Sequence, residues 1–247
     1  MNNPQKSVTI KKILQRLTDP FGRKSLLREL RDRFRPSHAK LLVDESDSLP
    51  DFWERAHASS THLWISGTPP KEIYERLNIS ALVSENKFSI LNVGVGEGYC
   101  EADLSNKGHS VDALDISQSA LRRFRKYVRK GFLSACDLPT NSYDLIVHHL
   151  VAQHMSHKDL EEQVTHLIRS LKINGLIAMQ FASSQRDHAL VTSDQIKSVV
   201  MSGGVLRSKN SIQEIATHSS GRIQNFFDKE DWSNSECRYV TAHIVKA

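Results

Sequence analysis

Residues 89–117, SILNVGVGEGYCEADLSNKGHSVDALDIS, decide the fold. Residues 89–93 form a short apolar run of the kind a buried strand shows. Gly94, Gly96 and Gly98 follow at alternate positions, and a helix-compatible segment then runs to about Lys107. A second apolar run, 111–114, closes on Asp115. The order is strand, glycine-rich turn, helix, strand, carboxylate. Such a unit suits the adenosine part of a cofactor, because glycines let backbone approach a ligand closely and a terminal carboxylate accepts from ribose hydroxyls. The acid follows the first glycine by twenty-one residues, the distance one turn, one helix and one strand require.

The glycine spacing narrows the cofactor. A dinucleotide fingerprint would place its third glycine where this chain has Tyr99, and Glu97 inside the loop would repel a pyrophosphate. S-adenosylmethionine (SAM) has no phosphate and carries a sulfonium cation, so an acidic loop suits it. The stretch resembles the first motif of the class I SAM-dependent methyltransferases, roughly acid-x-G-x-G-x-G. The usual acid is Asn92 here. The resemblance implies that Asn92 accepts from the methionine ammonium, with Glu97 restoring the missing charge, while Gly94, Gly96 and Gly98 line the cofactor. It also implies that Asp115 holds the ribose beside Ile116, that Asp137 meets the adenine amino group, and that Leu138 lies against the ring. S-adenosylhomocysteine (SAH) would be the product.

Downstream, strand and helix keep alternating. A basic helix is expected over 121–130 as a solvated face, a third strand over 131–135, a fourth over 143–150 (YDLIVHHL) and a fifth over 176–181. A helix over 158–171 and the turn Lys172-Ile173-Asn174-Gly175 join the last two; the turn is similar to the family's L-K-P-G-G. A helix over 211–219 and a closing pair, 223–228 and 238–245, complete the pattern. The expectation is a Rossmann-like α/β fold: seven strands, mostly parallel, helices on both faces, the last strand antiparallel, and an N-terminal helical extension. The resemblance spans about residues 72–247.

The acceptor site is expected at the end of strand four, where the chain reads HHLVAQHMSH. Methyl transfer from a sulfonium needs alignment and a dry pocket, and a hydroxyl nucleophile also needs a base. His148 and His149 face opposite sides of a strand, and the family's register makes His149 the cofactor-side residue. His154 is the preferred base, with Gln153 lining the pocket. Upstream, Trp53, His57 and Trp64 fall in WERAHASSTHLW, a segment that in the resembled family folds over the cofactor. Trp53 and Trp64 could equally pin the N-terminal helices to the core. Four histidines within ten residues lack the cysteine or carboxylate cluster of a metal centre, so no metal is expected.

Composition sets the remaining bounds. The 247 residues are 39% hydrophobic and 25% charged, ordinary globular usage. Three cysteines, with no metal spacing, point to a reducing compartment, and no secretory leader opens the chain; cytoplasmic placement is expected. The net charge of +5 is uneven: residues 1–40 carry eleven Lys or Arg against three acids. Apolar residues at 10, 13, 14 and 17 make that stretch an amphipathic helix. Residues 1–50 therefore read as a basic extension and linker, 51–80 as a lid and pre-domain helices within the 51–247 domain. The extension suits a homodimer contact, docking on the protein itself, or an anionic membrane surface. Nucleic acid is disfavoured, since the basic stretches carry no aromatic stripe to stack bases, and strand four lacks the N/D-P-P-Y/F of base methylation. A sugar or glycan precursor, through a hydroxyl or amino group, is the expected acceptor; the alternative is a SAM-binding partner without turnover.

Overall fold

The computed structural model describes residues 48–58, 68–184, 204–229 and 238–247. Most of the basic extension, Trp64 and Cys237 lie outside these residues. Seven strands form one sheet: β1 (Ser89–Val93), β2 (Ser110–Leu114), β3 (Lys130–Phe132), β4 (Tyr143–His148), β5 (Leu171–Ser183), β6 (Gly221–Lys229) and β7 (Arg238–Lys246). Their order is β3-β2-β1-β4-β5-β7-β6. β7 runs antiparallel to both neighbours, and the pairs from β3 through β5 are parallel. The strand order reverses between β1 and β4, so a crevice opens beyond their carboxyl ends.

The described helices are α1 (Leu49–Ala58), α2 (Pro70–Arg76), α3 (Ser80–Glu85), α4 (Tyr99–Asn106), α5 (Gln118–Arg123), α6 (His157–Ser170) and α7 (Lys209–His218). One sheet face is sealed by Leu160, Val164 and Leu167 of α6 with Ile212 and Ile215 of α7, all fully buried. The other is sealed by Ile73, Tyr74, Val83 and Leu104 from α2, α3 and α4. Alternation along each parallel strand serves both faces: Ile90 meets the α2–α4 side and Leu91 the α6 side. Asn92, next in the alternation, therefore points toward α4.

Several expected bounds shift. β3 ends at Phe132, because the Ser134 hydroxyl accepts from Cys136 N and starts a 3₁₀ turn at Ala135–Asp137. β4 ends at His148, since Leu150 adopts φ 56° and turns the chain away. The expected turn at 172–175 lies inside β5, which begins at Leu171. The basic helix expected over 121–130 is broken after Arg123. Arg129 does not face water freely: its guanidinium donates twice to Asp112, at 3.0 and 2.8 Å. Helix α1 begins at Leu49, slightly before the expected boundary.

Candidate cofactor and acceptor site

The glycine loop is fixed from both sides of the crevice. Gly94 N donates to Leu114 O at 2.8 Å, carrying the β1–β2 pairing one residue further. A Cβ on Gly94 (φ 78°) would sit 2.4 Å from Val151 Cγ2, in the segment after β4. A Cβ on Gly98 (φ 70°), the N-cap of α4, would strike the Phe124 ring at 2.2 Å. Both positions demand glycine by conformation and by space.

Asp115 anchors this loop. Its Oδ2 accepts from Val95 N at 2.7 Å and its Oδ1 from Ser117 N at 2.8 Å. Burial pushes its carboxyl up to about 6 against those two backbone bonds. Beside it, the apolar side chains of Ile116 and Leu133 stand exposed at the ends of β2 and β3, two of only three large apolar residues exposed among the described residues. Leu138, expected against the adenine ring, is 4% exposed and belongs to the core on the α6 face, while Asp137 is exposed at the end of its 3₁₀ turn. Leu133 was missed by sequence reading because the third strand was drawn through it.

The carboxylate that reaches Asn92 is Glu101. Asn92 Nδ2 donates to Glu101 Oε1 at 2.6 Å, and Glu101 is fully buried in the first turn of α4. Burial raises its carboxyl to about 7, opposed by the Asn92 bond. Glu97 is half-buried in the loop.

Helix α1 closes over the crevice and touches both of its sides. On the β2 side, Glu54 accepts from the Ser117 hydroxyl at 2.8 Å, from Ser119 N at 3.1 Å and from the Ser119 hydroxyl. Burial works to raise the Glu54 carboxyl, but these bonds outweigh it and leave it below its ordinary value. Arg123 donates to His57 O, adding a second tie to α5. On the β4 side, Trp53 meets His154 edge to face, ring centroids 5.1 Å apart. The tryptophan thus joins the helix to the expected acceptor residues, while Phe52 and Ala56 are buried beneath it.

The histidines diverge. His148 turns to the α6 face, where its Nε2 lies 2.9 Å from Gln163 Oε1. His149 takes the opposite face, 8% exposed, with its Nε2 buried and without a partner among the described residues. His154 closes a short 3₁₀ turn, Ala152–His154, and its Nδ1 is likewise buried and unpartnered, as is Gln153 Oε1. Burial brings His148 and His154 down to about 4 and His149 to about 3, with Arg76 adding to the last shift. His57 also falls to about 4, through burial and then Arg123. All four are therefore neutral at pH 7. Arg207, fully buried, donates to Ala152 O at 2.8 Å and Met155 O at 2.7 Å, bracing the turn that carries His154. Among the described residues, no group of three or more His, Cys, Asp or Glu is placed to hold a metal ion.

These shifts give a stability prediction. Folded, His57, His148, His149 and His154 stay neutral down to about 4 or below, whereas unfolded they bind protons below about 6.5, so they cost stability as pH falls. Glu101 and Asp115 act oppositely: folded they keep protons up to about 7 and about 6, so they cost stability as pH rises. Four groups outweigh two. The thermal midpoint is expected to climb between about pH 4.5 and 6.5; a midpoint highest at the acid end would contradict these placements.

Comparison with known proteins places this geometry. Residues 90–175 match a family model described as a methyltransferase domain. No curated protein matches the sequence. Among solved structures, a SAM-dependent methyltransferase from Leishmania major is similar at 20% identity and TM-score 0.56, over 77% of this chain and 76% of that one. A 1,6-didemethyltoxoflavin-N1-methyltransferase from Burkholderia thailandensis, with its acceptor and SAH bound, is similar at 12% identity and TM-score 0.57, over 81% of this chain and 88% of that one. A TehB-like SAM-dependent methyltransferase from Corynebacterium glutamicum is similar at 16% identity and TM-score 0.53, over 86% of this chain and all of that one. At these identities the likeness to solved structures is one of fold.

Proposed function

We propose that this class I SAM-dependent methyltransferase transfers the methyl group of SAM to a hydroxyl or amino group of a neutral small molecule, a sugar or glycan precursor being the class the site fits best. The carrying observation is the set of groups beside the crevice at the end of β4. Trp53 offers an aromatic surface next to His154, and His154 Nδ1 and Gln153 Oε1 are hydrogen-bonding atoms without partners among the described residues. An aromatic ring for the apolar face of a sugar, with neutral polar atoms for its hydroxyls, is the complement of a polyhydroxylated ligand. Unsatisfied buried atoms cost about 1–3 kcal/mol each, a penalty that an acceptor's hydroxyls would relieve.

In this reading Gly94, Gly96 and Gly98 let the cofactor approach the loop, Asp115 takes the ribose, and Ile116 and Leu133 flank the adenine. Helix α1 excludes water, and His154 receives the proton of a hydroxyl acceptor. SAM supplies the electrophilic methyl group. The alternative is a SAM-binding partner without turnover, which an uncharged Asn92 would suit; a buried carboxylate hydrogen-bonded to Asn92 favours the enzyme reading. The test is transfer of radiolabelled methyl from SAM by the purified protein to a panel of nucleotide sugars, free amino sugars and phenols. Labelled sugar product supports the reading, whereas turnover confined to phenols overturns the acceptor class.

For residues 1–35 the reading is a contact with an anionic membrane surface or a second copy, carried by their basic amphipathic sequence alone. No helix among the described residues is long and apolar enough to cross a membrane. With a membrane contact, full-length protein co-sediments with anionic vesicles at low salt, salt weakens that binding, and deleting residues 1–35 abolishes it without altering SAM affinity. Absence of vesicle binding by the full-length protein leaves the second-copy reading, which the sizes of full-length and truncated protein decide.

A further inference from the structure

Glu101 is a costly residue to place where it stands. Its side chain is fully buried, one carboxylate oxygen accepts from Asn92 at 2.6 Å, and the other has no partner among the described residues. No Lys or Arg among the described residues forms a salt bridge with it. A buried carboxylate without a cation carries a large desolvation penalty, and a glutamine would orient Asn92 through the same contact without it. The charge is therefore useful only to something that arrives. Asn92 lies at the carboxyl end of β1, two residues before the glycine loop, on the crevice that takes the cofactor. With its Nδ2 committed to Glu101, Asn92 keeps Oδ1 to accept a donor from the ligand. SAM brings an ammonium as well as a sulfonium.

We propose that Glu101 supplies, through Asn92, the negative charge that holds the ammonium group of SAM. An amide on β1 and an acid on the next element, α4, thus share the work of a single acid. The ammonium donates to Asn92 Oδ1, the amide dipole aligns from ligand to carboxylate, and Glu101 Oε1 terminates the chain of hydrogen bonds. Burial, with Asp115 acting in the same direction, keeps the Glu101 carboxyl easily protonated in the empty site, and an arriving cation tips that balance toward the carboxylate. Glu101 is a positioning residue: it acts on the ligand through Asn92. The proposal rests on the cofactor assignment and is independent of the acceptor class.

The test is calorimetric binding of SAM, SAH and 5′-methylthioadenosine to the full chain. The third ligand keeps the adenosine and the thioether but lacks the amino-acid end. Glu101→Gln is expected to weaken SAM and SAH by about ten- to a hundredfold, the usual worth of a hydrogen bond to a charged group, and to leave methylthioadenosine unchanged. The double substitution Asn92→Asp with Glu101→Gln moves the charge from position 101 to position 92 while preserving the hydrogen bond between the two side chains, and is expected to restore SAM binding. Unchanged SAM affinity in Glu101→Gln overturns the proposal. So does an equal loss for all three ligands, which would make Glu101 a support of the loop only. Should Glu101→Gln alone fail to fold, the exchanged pair decides: wild-type affinity for SAM supports the proposal, and weak SAM binding with intact methylthioadenosine binding overturns it. Wild-type protein that binds none of the three would instead overturn the cofactor assignment.

Discussion

Replacing Asp115 with alanine lowers the affinity for SAM by more than about a hundredfold, because one carboxylate serves both ligand and loop. Hydrogen bonds from ribose hydroxyls to a charged acceptor contribute about 1.5–3 kcal/mol, a ten- to hundredfold effect by themselves. The structure adds a second loss. Asp115 Oδ2 holds Val95 N and Oδ1 holds Ser117 N, so alanine leaves two backbone donors without their acceptor. Each such group costs about 1–3 kcal/mol where water cannot replace the bond, and the glycine loop gains reason to leave its binding geometry. Removing the carboxylate also removes the burial strain that raises its pKa to about 6, so the stability loss is smaller than those two penalties combined. The affinity loss has no such offset. Calorimetry on the Asp115→Ala protein, with circular dichroism to establish its fold, gives the answer: a folded variant with wild-type affinity would sink the placement of the ribose.

The difference between what the sequence revealed and what it hid follows from the range of the interactions involved. β1 lies where its apolar run predicted, because a central strand buried on both faces must be apolar along its length. Only one residue changes at the start of β2. Edges and ends were misread where a local polar bond or a backbone turn won over hydrophobic pattern. Ser134 stops β3 by capping the next turn, and Leu150 takes a left-handed conformation rare for leucine, which no composition rule announces. Arg129 belonged by charge to a solvated run, yet Asp112 on the neighbouring strand claims it.

The site shows the same division. The placement of the glycines and Asp115 was legible because it is set within one strand-turn-helix unit. Glu101 was within reach of the same reasoning, since the first turn of a helix leaving a strand points back over that strand's end. Attention to the loop favoured Glu97 instead. Glu54 was out of reach: its partners Ser117 and Ser119 are 63 and 65 residues away in sequence, and nothing in WERAH marks a carboxylate that caps another helix.

His154→Ala is expected to lower the rate of methyl transfer to a hydroxyl acceptor by about a hundred- to ten-thousandfold, the usual worth of a general base. SAM affinity should change little, since in this reading His154 serves the acceptor while the glycine loop and Asp115 hold the cofactor. The charge balance favours such a base. As the methyl group leaves sulfur, the sulfonium loses its positive charge, and the proton released by the acceptor gives an equal charge to the imidazole. The pocket keeps its net charge, and only its location changes. The pH profile follows from burial. An ordinary histidine would give a rise through its usual value, but burial holds His154 down to about 4, so its neutral, proton-accepting form persists at all working pH values. The rate should then be flat from about pH 5.5 upward on this limb, falling only in more acid solution. A limb near 6.5 in the wild-type profile would mean that another group takes the proton. An amine acceptor provides a sharper alternative: it needs only to be unprotonated on arrival, and His154→Ala would then raise KM with kcat nearly preserved. His149→Ala separates the two faces of the sheet. With its ring on the α2 side, it should disturb cofactor and acceptor binding together and leave the pH profile unmoved. Full-rate transfer by His154→Ala with a hydroxyl acceptor would remove this residue from the chemistry.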